Sequence, residues 1–162
     1  MLANPIVLQQ QPTPCSCTAT CIAMALGRPV ADLGVPLTNA LDFDDFGVWL
    51  AERGVWMRQG INVNCHGEIF RQGHVYLIGV RSQNIICSDH TILADTRGEP
   101  TNSNPRSGWK FYDPVTGIEG KHVYTWCDPG QVVDFCELRD RSISGYVCVG
   151  SQSDASDVAP GK

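Results

Sequence analysis

Helix-forming and strand-forming segments are separated along this chain, and their order restricts the fold more than any other feature of the sequence. Residues 17–26 and 43–53 carry apolar residues at helical spacing. After Gly73 the pattern changes to short runs of β-branched and aromatic residues between turn residues. The runs predicted as strands are 75–80, 90–95, 109–113, 122–126 and 145–149. Helices followed by strands are typical of an α+β domain, so we expect helices packed on an antiparallel sheet.

The length and composition of the chain fit one globular domain. Its 162 residues are 43% hydrophobic and 18% charged, which is enough to bury a core without metal or disulfides. We assign residues 1–150 to this domain and expect residues 151–162, which are polar and without periodicity, to be disordered. The net charge of −5 argues against nucleic acid and anionic membranes as partners, because both bind basic faces. No apolar run approaches the roughly 20 residues that cross a bilayer.

The cysteine count raises the question of disulfides. The eight cysteines are Cys15, Cys17, Cys21, Cys65, Cys87, Cys127, Cys136 and Cys148. Residues 1–11 lack the basic start and long apolar stretch of a secretory signal, so we expect the protein in the cytoplasm, or exported without a classical signal peptide. Most thiols should then be reduced, and Cys17 and Cys21 lie one helical turn apart, a poor geometry for a bridge. Cys87 and Cys148 lie in apolar runs and are interpreted as core residues.

Cys17 opens the first predicted helix. The Pro-Thr-Pro sequence at 12–14 forces an extended approach, Ser16 can cap the helix, and Gly27 with Pro29 ends it. A sulfur at a helix N-terminus has a lowered pKa, because the unpaired N–H groups and the helix dipole favour negative charge. The thiolate is the reactive form of cysteine, so Cys17 is the candidate nucleophile.

Neighbouring side chains bear on this assignment. Gln11 lies six residues upstream, and its amide could reach back beside the sulfur to donate, with the Cys17 backbone N–H, to an oxyanion. Cys15 is a rival nucleophile, although it precedes the helix. Cys21 is interpreted as a small residue beneath the site. The three cysteines, together with Cys65-His66, could instead hold zinc or an iron–sulfur cluster, but the second paired knuckle of a structural zinc site is missing.

His90 is the candidate base. A nucleophilic thiol needs a base in hydrogen-bonding reach, and that base needs a third group that fixes its tautomer. His90 opens an apolar strand, and the following strand ends at Asp113. If the two strands pair with His90 opposite Asp113, Ile92 faces Phe111 and the carboxylate reaches the imidazole. A register displaced by two residues is also compatible with the pattern. The other histidines are interpreted as structural or exposed: His66, His74 and His122.

The surroundings of His90 leave two further questions. Asp89 and Asp95 compete with Asp113 for the acid role, but Asp89 should point to the opposite face of the strand and Asp95 lies too far along it. The connecting loop, 96–108, is placed beside His90 in this arrangement. It is either a gate that contacts substrate or a solvated connection.

Residues 11–24 resemble the start of the C39 and C39-like branch of the papain-like cysteine peptidases. That branch has a glutamine six residues before the catalytic cysteine, followed by Cys-Gly-x-Ala-Cys-(Leu/Ile)-Ala-Met. The matching residues are Gln11, Cys17, Ala19, Cys21, Ile22, Ala23 and Met24. Thr18 stands where the family usually has glycine, a change that could narrow the approach of a substrate backbone to the sulfur. Residues 111–117, Phe-Tyr-Asp-Pro-Val-Thr-Gly, resemble the later part of the same pattern, so the resemblance spans about two thirds of the chain.

The resemblance implies a papain-like fold and a cysteine peptidase that cleaves peptide bonds through an acyl-enzyme. In that scheme Cys17 attacks, His90 is the base, Asp113 orients it and Gln11 contributes to the oxyanion hole. The implied partner is a peptide or protein substrate, with no cofactor, and the oligomeric state is not predicted. Glutamine deamidases and transglutaminases use the same triad and stay open alternatives. A catalytically silent papain-like binding protein is the alternative outside enzymes, and a missing triad member would indicate it.

Overall fold

The computed structural model describes residues 1–37, 43–60, 70–85, 89–115, 123–125 and 132–140. Within these ranges the chain has two α-helices, a short 3-10 helix and one five-stranded sheet in which all pairings are antiparallel. The predicted α+β class is therefore confirmed. Several predictions lie outside the described residues: those for Cys65, His66, Cys87, His122, Cys127, Cys148, the strand at 145–149, the domain boundary at 150 and the tail at 151–162.

The elements follow the predicted order, with helices preceding most of the sheet. Helix α1 spans Cys17–Leu26, the 3-10 helix Val30–Leu33 and helix α2 Phe43–Glu52. The strands are β1 Val55–Gly60, β2 Val75–Arg81, β3 Asp89–Asp95, β4 Lys110–Tyr112 and β5 Val132–Asp140. Their order across the sheet is β1-β5-β2-β3-β4. Neither α-helix in the described part of the chain is long and apolar enough to span a membrane.

Helix α1 begins and ends at the predicted residues, but its first turn is built differently. Ser16 occupies the cap position without a side-chain bond to the helix. Its hydroxyl instead donates to the Thr13 carbonyl at 2.9 Å and accepts from the Thr13 N–H at 3.1 Å. The predicted capping role of the Ser16 side chain is therefore wrong, because the turn that leads into the helix uses that hydroxyl. At the other end Gly27 adopts φ 64°, a left-handed conformation suited to glycine.

The sheet carries a hydrophobic core on each face. One core lies against the two α-helices and includes Leu77, Leu93 and Leu138 from the strands. The other includes Tyr76, Ile78, Ile92 and Ala94. Alternate residues of β2 and β3 thus belong to opposite faces, as the period of a strand requires, and both strands are buried over most of their length.

Two strands were not predicted, and one predicted strand is not observed. Strands β1 and β5 pair with each other, and β5 occupies the second position of the sheet. The predicted strand at 122–126 is wrong over 123–125, the part of it that the structure describes, where no strand forms. Tyr124 is nevertheless buried there, and its hydroxyl accepts a hydrogen bond from the Gln83 N–H at 2.8 Å.

The pairing of β3 with β4 is displaced by two residues from the predicted register. Phe111 lies opposite Ala94, where Ile92 was expected. A displacement of two residues keeps every side chain on its face of the sheet, so His90 and Asp113 still share one. The pairing also places loop 96–108 next to Asp95, at the end of β3 remote from His90. That end is about 17 Å away at 3.4 Å per strand residue. The placement of this loop beside His90, and with it the gate interpretation, is wrong.

Candidate active site

Three elements bring Cys17, His90 and Asp113 to one place. Cys17 is the first residue of α1, His90 is the second residue of β3, and Asp113 directly follows β4. The His90 side chain is 0% exposed and that of Asp113 is 1% exposed, whereas Cys17 is half-buried. The imidazole and the carboxylate are thus shielded from water, and the sulfur is on the side that reaches solvent.

Three donors among the described residues hold Asp113. His90 Nε2 lies 2.7 Å from Oδ1, which also accepts from the Val115 N–H at 2.8 Å. The other oxygen, Oδ2, accepts from Asn84 Nδ2 at 2.5 Å. Burial raises the pKa of Asp113. The hydrogen bond to His90, the positive charge of His90 and the other two donors outweigh this effect and hold the pKa of Asp113 below its ordinary value. The carboxylate therefore stays ionised and fixes the orientation of the imidazole ring.

The second ring nitrogen of His90 is the one available to the thiol. Nδ1 is buried and, among the described residues, has no hydrogen-bond partner. Because Asp113 occupies Nε2, we place the interaction of the ring with the Cys17 sulfur at Nδ1. Burial lowers the pKa of His90, but the hydrogen bond to Asp113, the adjacent Cys17 sulfur and the charges of both partners raise it to about 9.

The Cys17 thiol is activated by the same contact. Burial raises its pKa, but the adjacent His90 ring, the nearby backbone N–H of Thr91 and the charge of His90 together lower it to about 7. A thiol that ionises near pH 7 beside an imidazole that stays protonated to about pH 9 forms a thiolate–imidazolium pair between these limits. The arrangement can deliver a nucleophilic sulfur and an adjacent proton donor at neutral pH.

The neighbouring cysteines differ from Cys17 in exposure and chemistry. Cys15 is an exposed free thiol that precedes the helix. Cys21 is fully buried, and burial together with the charges of Cys17 and Asp113 raises its pKa well above the ordinary value. Its protonated sulfur donates to the Thr91 carbonyl at 3.3 Å. The geometry therefore favours Cys17 over both neighbours as the nucleophile.

Gln11 is fixed to the acid end of the site. Its backbone N–H donates to the carbonyl of Pro114 at 2.9 Å, one residue beyond Asp113. Its side-chain nitrogen donates to the Thr13 carbonyl at 3.0 Å, which leaves the second N–H of the amide for another acceptor. Its role in an oxyanion hole stays a prediction.

Asp95 and His74 bind other residues, and Asp89 is exposed. Asp95 accepts two hydrogen bonds of 2.8 Å from the Arg97 guanidinium, at the far end of β3. Asp89 is exposed, one residue before His90. His74 Nδ1 lies 3.0 Å from Glu137 Oε1, which agrees with the structural role expected for this histidine.

Sequence reasoning missed Asn84 and Thr91. Asn84 lies in a turn after β2, where an amide side chain carries no motif, and Thr91 looked like one more β-branched strand residue. The substitution at Thr18 also has a different consequence from the one expected. Thr18 is 4% exposed and its hydroxyl lies 2.8 Å from that of Thr91, so its side chain points into the protein.

Metal-binding geometry and similarity to known proteins complete the description of the site. Among the described residues, no group of three or more His, Cys, Asp and Glu side chains is placed to hold a metal ion. No protein-family model matches the chain, and no curated protein is detectably similar to it. Any inference about function therefore depends on the site geometry and on the sequence pattern.

Proposed function

We propose that the chain is a cysteine peptidase of the papain-like, C39-like type. The observation that carries this proposal is the buried hydrogen bond of 2.7 Å from His90 Nε2 to Asp113, made by a ring whose pKa is also raised by the neighbouring Cys17. A thiol at a helix start, a histidine that begins a strand and an acid that follows the next strand fill the three roles of a nucleophilic triad. The pattern around Gln11 and Cys17 supports the same assignment.

The mechanism follows from the ion pair. The Cys17 sulfur attacks the carbonyl carbon of a peptide bond, and the oxyanion accepts hydrogen bonds from the Cys17 backbone N–H and the remaining N–H of Gln11. As the tetrahedral intermediate collapses, the C–N bond breaks and His90 gives its proton to the leaving amine. His90 then takes a proton from water, which attacks the thioester and releases the carboxylic acid and the thiol. Asp113 stays ionised throughout and holds the ring.

Covalent labelling tests the assignment of the nucleophile. The protein is treated with a peptide that carries a thiol-directed electrophile, and the adduct is located by intact and fragment mass spectrometry. We expect a single adduct on Cys17 that is lost in Cys17→Ala and retained in Cys15→Ala, the matched control. Labelling that survives Cys17→Ala and disappears in Cys15→Ala would reject Cys17 as nucleophile.

The products distinguish peptidase activity from the related reactions. A peptidase creates new amino termini in an unbiased peptide pool, and Cys17→Ala should abolish them. Ammonia release without new amino termini would indicate a glutamine deamidase or transglutaminase. Neither product, combined with an unreactive Cys17, would indicate a binding protein. Because the cysteines that the structure describes are free thiols, which persist in reducing compartments, we also propose the cytoplasm, or export without a classical signal peptide, as its location.

A further inference from the structure

Thr91 lies where α1 meets the end of β3. The pairing of β3 with β4 begins at Leu93, opposite Tyr112, so Thr91 is outside that ladder. The first turns of α1 pack against β3 at this point. Cys17 and Cys21, four residues apart, lie on one face of the helix, and the Cys21 sulfur is directed to the Thr91 carbonyl.

The carbonyl and the hydroxyl of Thr91 are both hydrogen-bonded to residues of α1. Its carbonyl accepts from the Cys21 sulfur at 3.3 Å, and its hydroxyl oxygen lies 2.8 Å from the hydroxyl oxygen of Thr18. Its backbone N–H and its hydroxyl also lie near enough to Cys17 to lower the pKa of that thiol. Thr91 is 6% exposed and Thr18 is 4% exposed, so these bonds form away from water, where a donor to a thiolate has its greatest effect.

The direction of the hydroxyl bonds follows from the proton count. A threonine hydroxyl has one proton to donate. If Thr91 gives that proton to the sulfur, the bond between the two hydroxyls must be donated by Thr18 to the Thr91 oxygen. The resulting chain runs from the Thr18 hydroxyl to the Thr91 hydroxyl and then to the Cys17 sulfur. In such a chain each hydrogen bond strengthens the next, so the last one stabilises a negatively charged acceptor more strongly.

We propose that Thr91 is a further catalytic residue, whose hydroxyl donates to the Cys17 thiolate, and that Thr18 is a positioning residue that orients this hydroxyl. Cys21 supports the same arrangement by holding the Thr91 carbonyl from the helix side. The proposal rests on the proposed role of Cys17 as nucleophile. It also gives a function to the threonine that replaces the glycine of the resembled family, since glycine has no hydroxyl to orient Thr91.

The test measures the ionisation of the Cys17 thiol, which requires no substrate. Alkylation of Cys17 by iodoacetamide is followed against pH in a Cys15→Ser background, with fragment mass spectrometry to locate the label. We expect Thr91→Val to raise the midpoint by about half a pH unit or more, a threefold or greater loss of thiolate below the midpoint. Thr91→Ser, which keeps the hydroxyl, should restore the midpoint.

Thr20→Val is the matched control. Thr20 is a fully buried helix threonine whose hydroxyl donates to the Ser16 carbonyl at 2.8 Å. Its loss should lower stability without moving the Cys17 midpoint. A folded Thr91→Val protein with the unaltered midpoint would overturn the proposal. If Thr91→Val does not fold, Thr18→Val decides: it should raise the midpoint in the same direction, Thr18→Ser should reverse the change, and an unchanged midpoint would again overturn the proposal.

The two proposals fail in different ways. If Cys17 in the parent protein already titrates at the ordinary value of a free thiol, about 8.5, the activated nucleophile of the proposed function is wrong. If the parent midpoint is lowered and Thr91→Val leaves it in place, the role of Thr91 alone is wrong.

Discussion

His90 joins two partners that change its ionisation in the same direction. Asp113 favours the imidazolium through Nε2, and the Cys17 thiolate favours it from the other side of the ring. The imidazolium in turn stabilises both anions, which is why the pKa of Asp113 and that of Cys17 are lowered despite burial. The reactive state is therefore a property of three groups together, and changing any one should alter the ionisation of the others.

The apparent kcat/KM for a cleavable peptide should show a bell-shaped dependence on pH. The apparent kcat/KM rises as Cys17 ionises near pH 7 and falls as His90 loses its proton near pH 9. Asp113 raises the pKa of His90, so Asp113→Asn should move the upper limb to lower pH and narrow the bell. Asp95→Asn, which removes a carboxylate at the far end of β3, should leave the upper limb in place. An upper limb that moves equally in both variants would contradict the role given to Asp113.

Residues whose chemistry depends on their position along an element could be predicted from the sequence. Cys17 was identified because it starts a helix, and His90 and Asp113 because they stand at the ends of strands. Asn84 and Thr91 could not be identified this way. Their roles arise only where separate elements meet: Asn84 reaches a carboxylate 29 residues later, and Thr91 meets a helix 70 or more residues earlier.

At the scale of elements, the β3–β4 ladder shows how a wrong register can still give the right contact. The displacement of two residues leaves Asp113 on the face that His90 uses, diagonal to it along the strands. A displacement of one residue would have separated the two side chains to opposite faces. The sequence pattern specified the face, because alternation is a property of each strand, but did not specify the exact pair.

Strand β5 was missed because its charged residues hide its hydrophobic pattern. Cys136 and Leu138 are buried on the helix side, whereas Glu137 alternates with them and is itself buried. The structure accommodates that carboxylate with two basic partners, His74 and Arg139. A buried charge in a central strand is stable only with such partners, and these partners are not visible in the local sequence.

The loop between β3 and β4 gives a prediction at the element scale. A Cβ on Gly108 would lie 2.2 Å from the Glu99 carbonyl oxygen, a backbone atom that cannot move aside cheaply. Gly108→Ala should therefore destabilise the protein by about 1 kcal/mol or more, measured by denaturant unfolding. Because the loop lies at the far end of β3, the pH midpoint of Cys17 alkylation in the folded variant should be unchanged. A shifted midpoint would contradict the placement of this loop away from the site. Ser103→Ala, at an exposed position in the same loop, is the control and should change neither quantity.

At the scale of the whole molecule, residues 1–11 connect α1 with the end of β5 and with the residues that follow β4. The Leu2 N–H donates to Asp140 at the end of β5, and the Ala3 N–H donates to the Ala25 carbonyl in α1. Further along, the Gln11 N–H reaches the Pro114 carbonyl beside Asp113. The helix that carries the nucleophile is therefore held against the strands that carry the base and the acid by packing and by main-chain bonds.

The helix-facing core should control both stability and site assembly. Leu77 in β2 is fully buried in this core, so Leu77→Ala should lower the free energy of unfolding by about 2–5 kcal/mol. Val48 in α2 is 74% exposed, and Val48→Ala should change that free energy by no more than about 0.5 kcal/mol. Equal effects of the two substitutions in urea unfolding would contradict the assignment of this core.

The central claim is that an imidazolium from β3 stabilises the thiolate at the start of α1. The most direct measurement is the pH midpoint of Cys17 alkylation in the parent protein and in His90→Gln. This variant places a neutral amide near Asp113 that cannot become positively charged. We predict a midpoint near 7 in the parent protein and a rise toward the ordinary thiol value in His90→Gln. The same midpoint in both folded proteins would contradict the account.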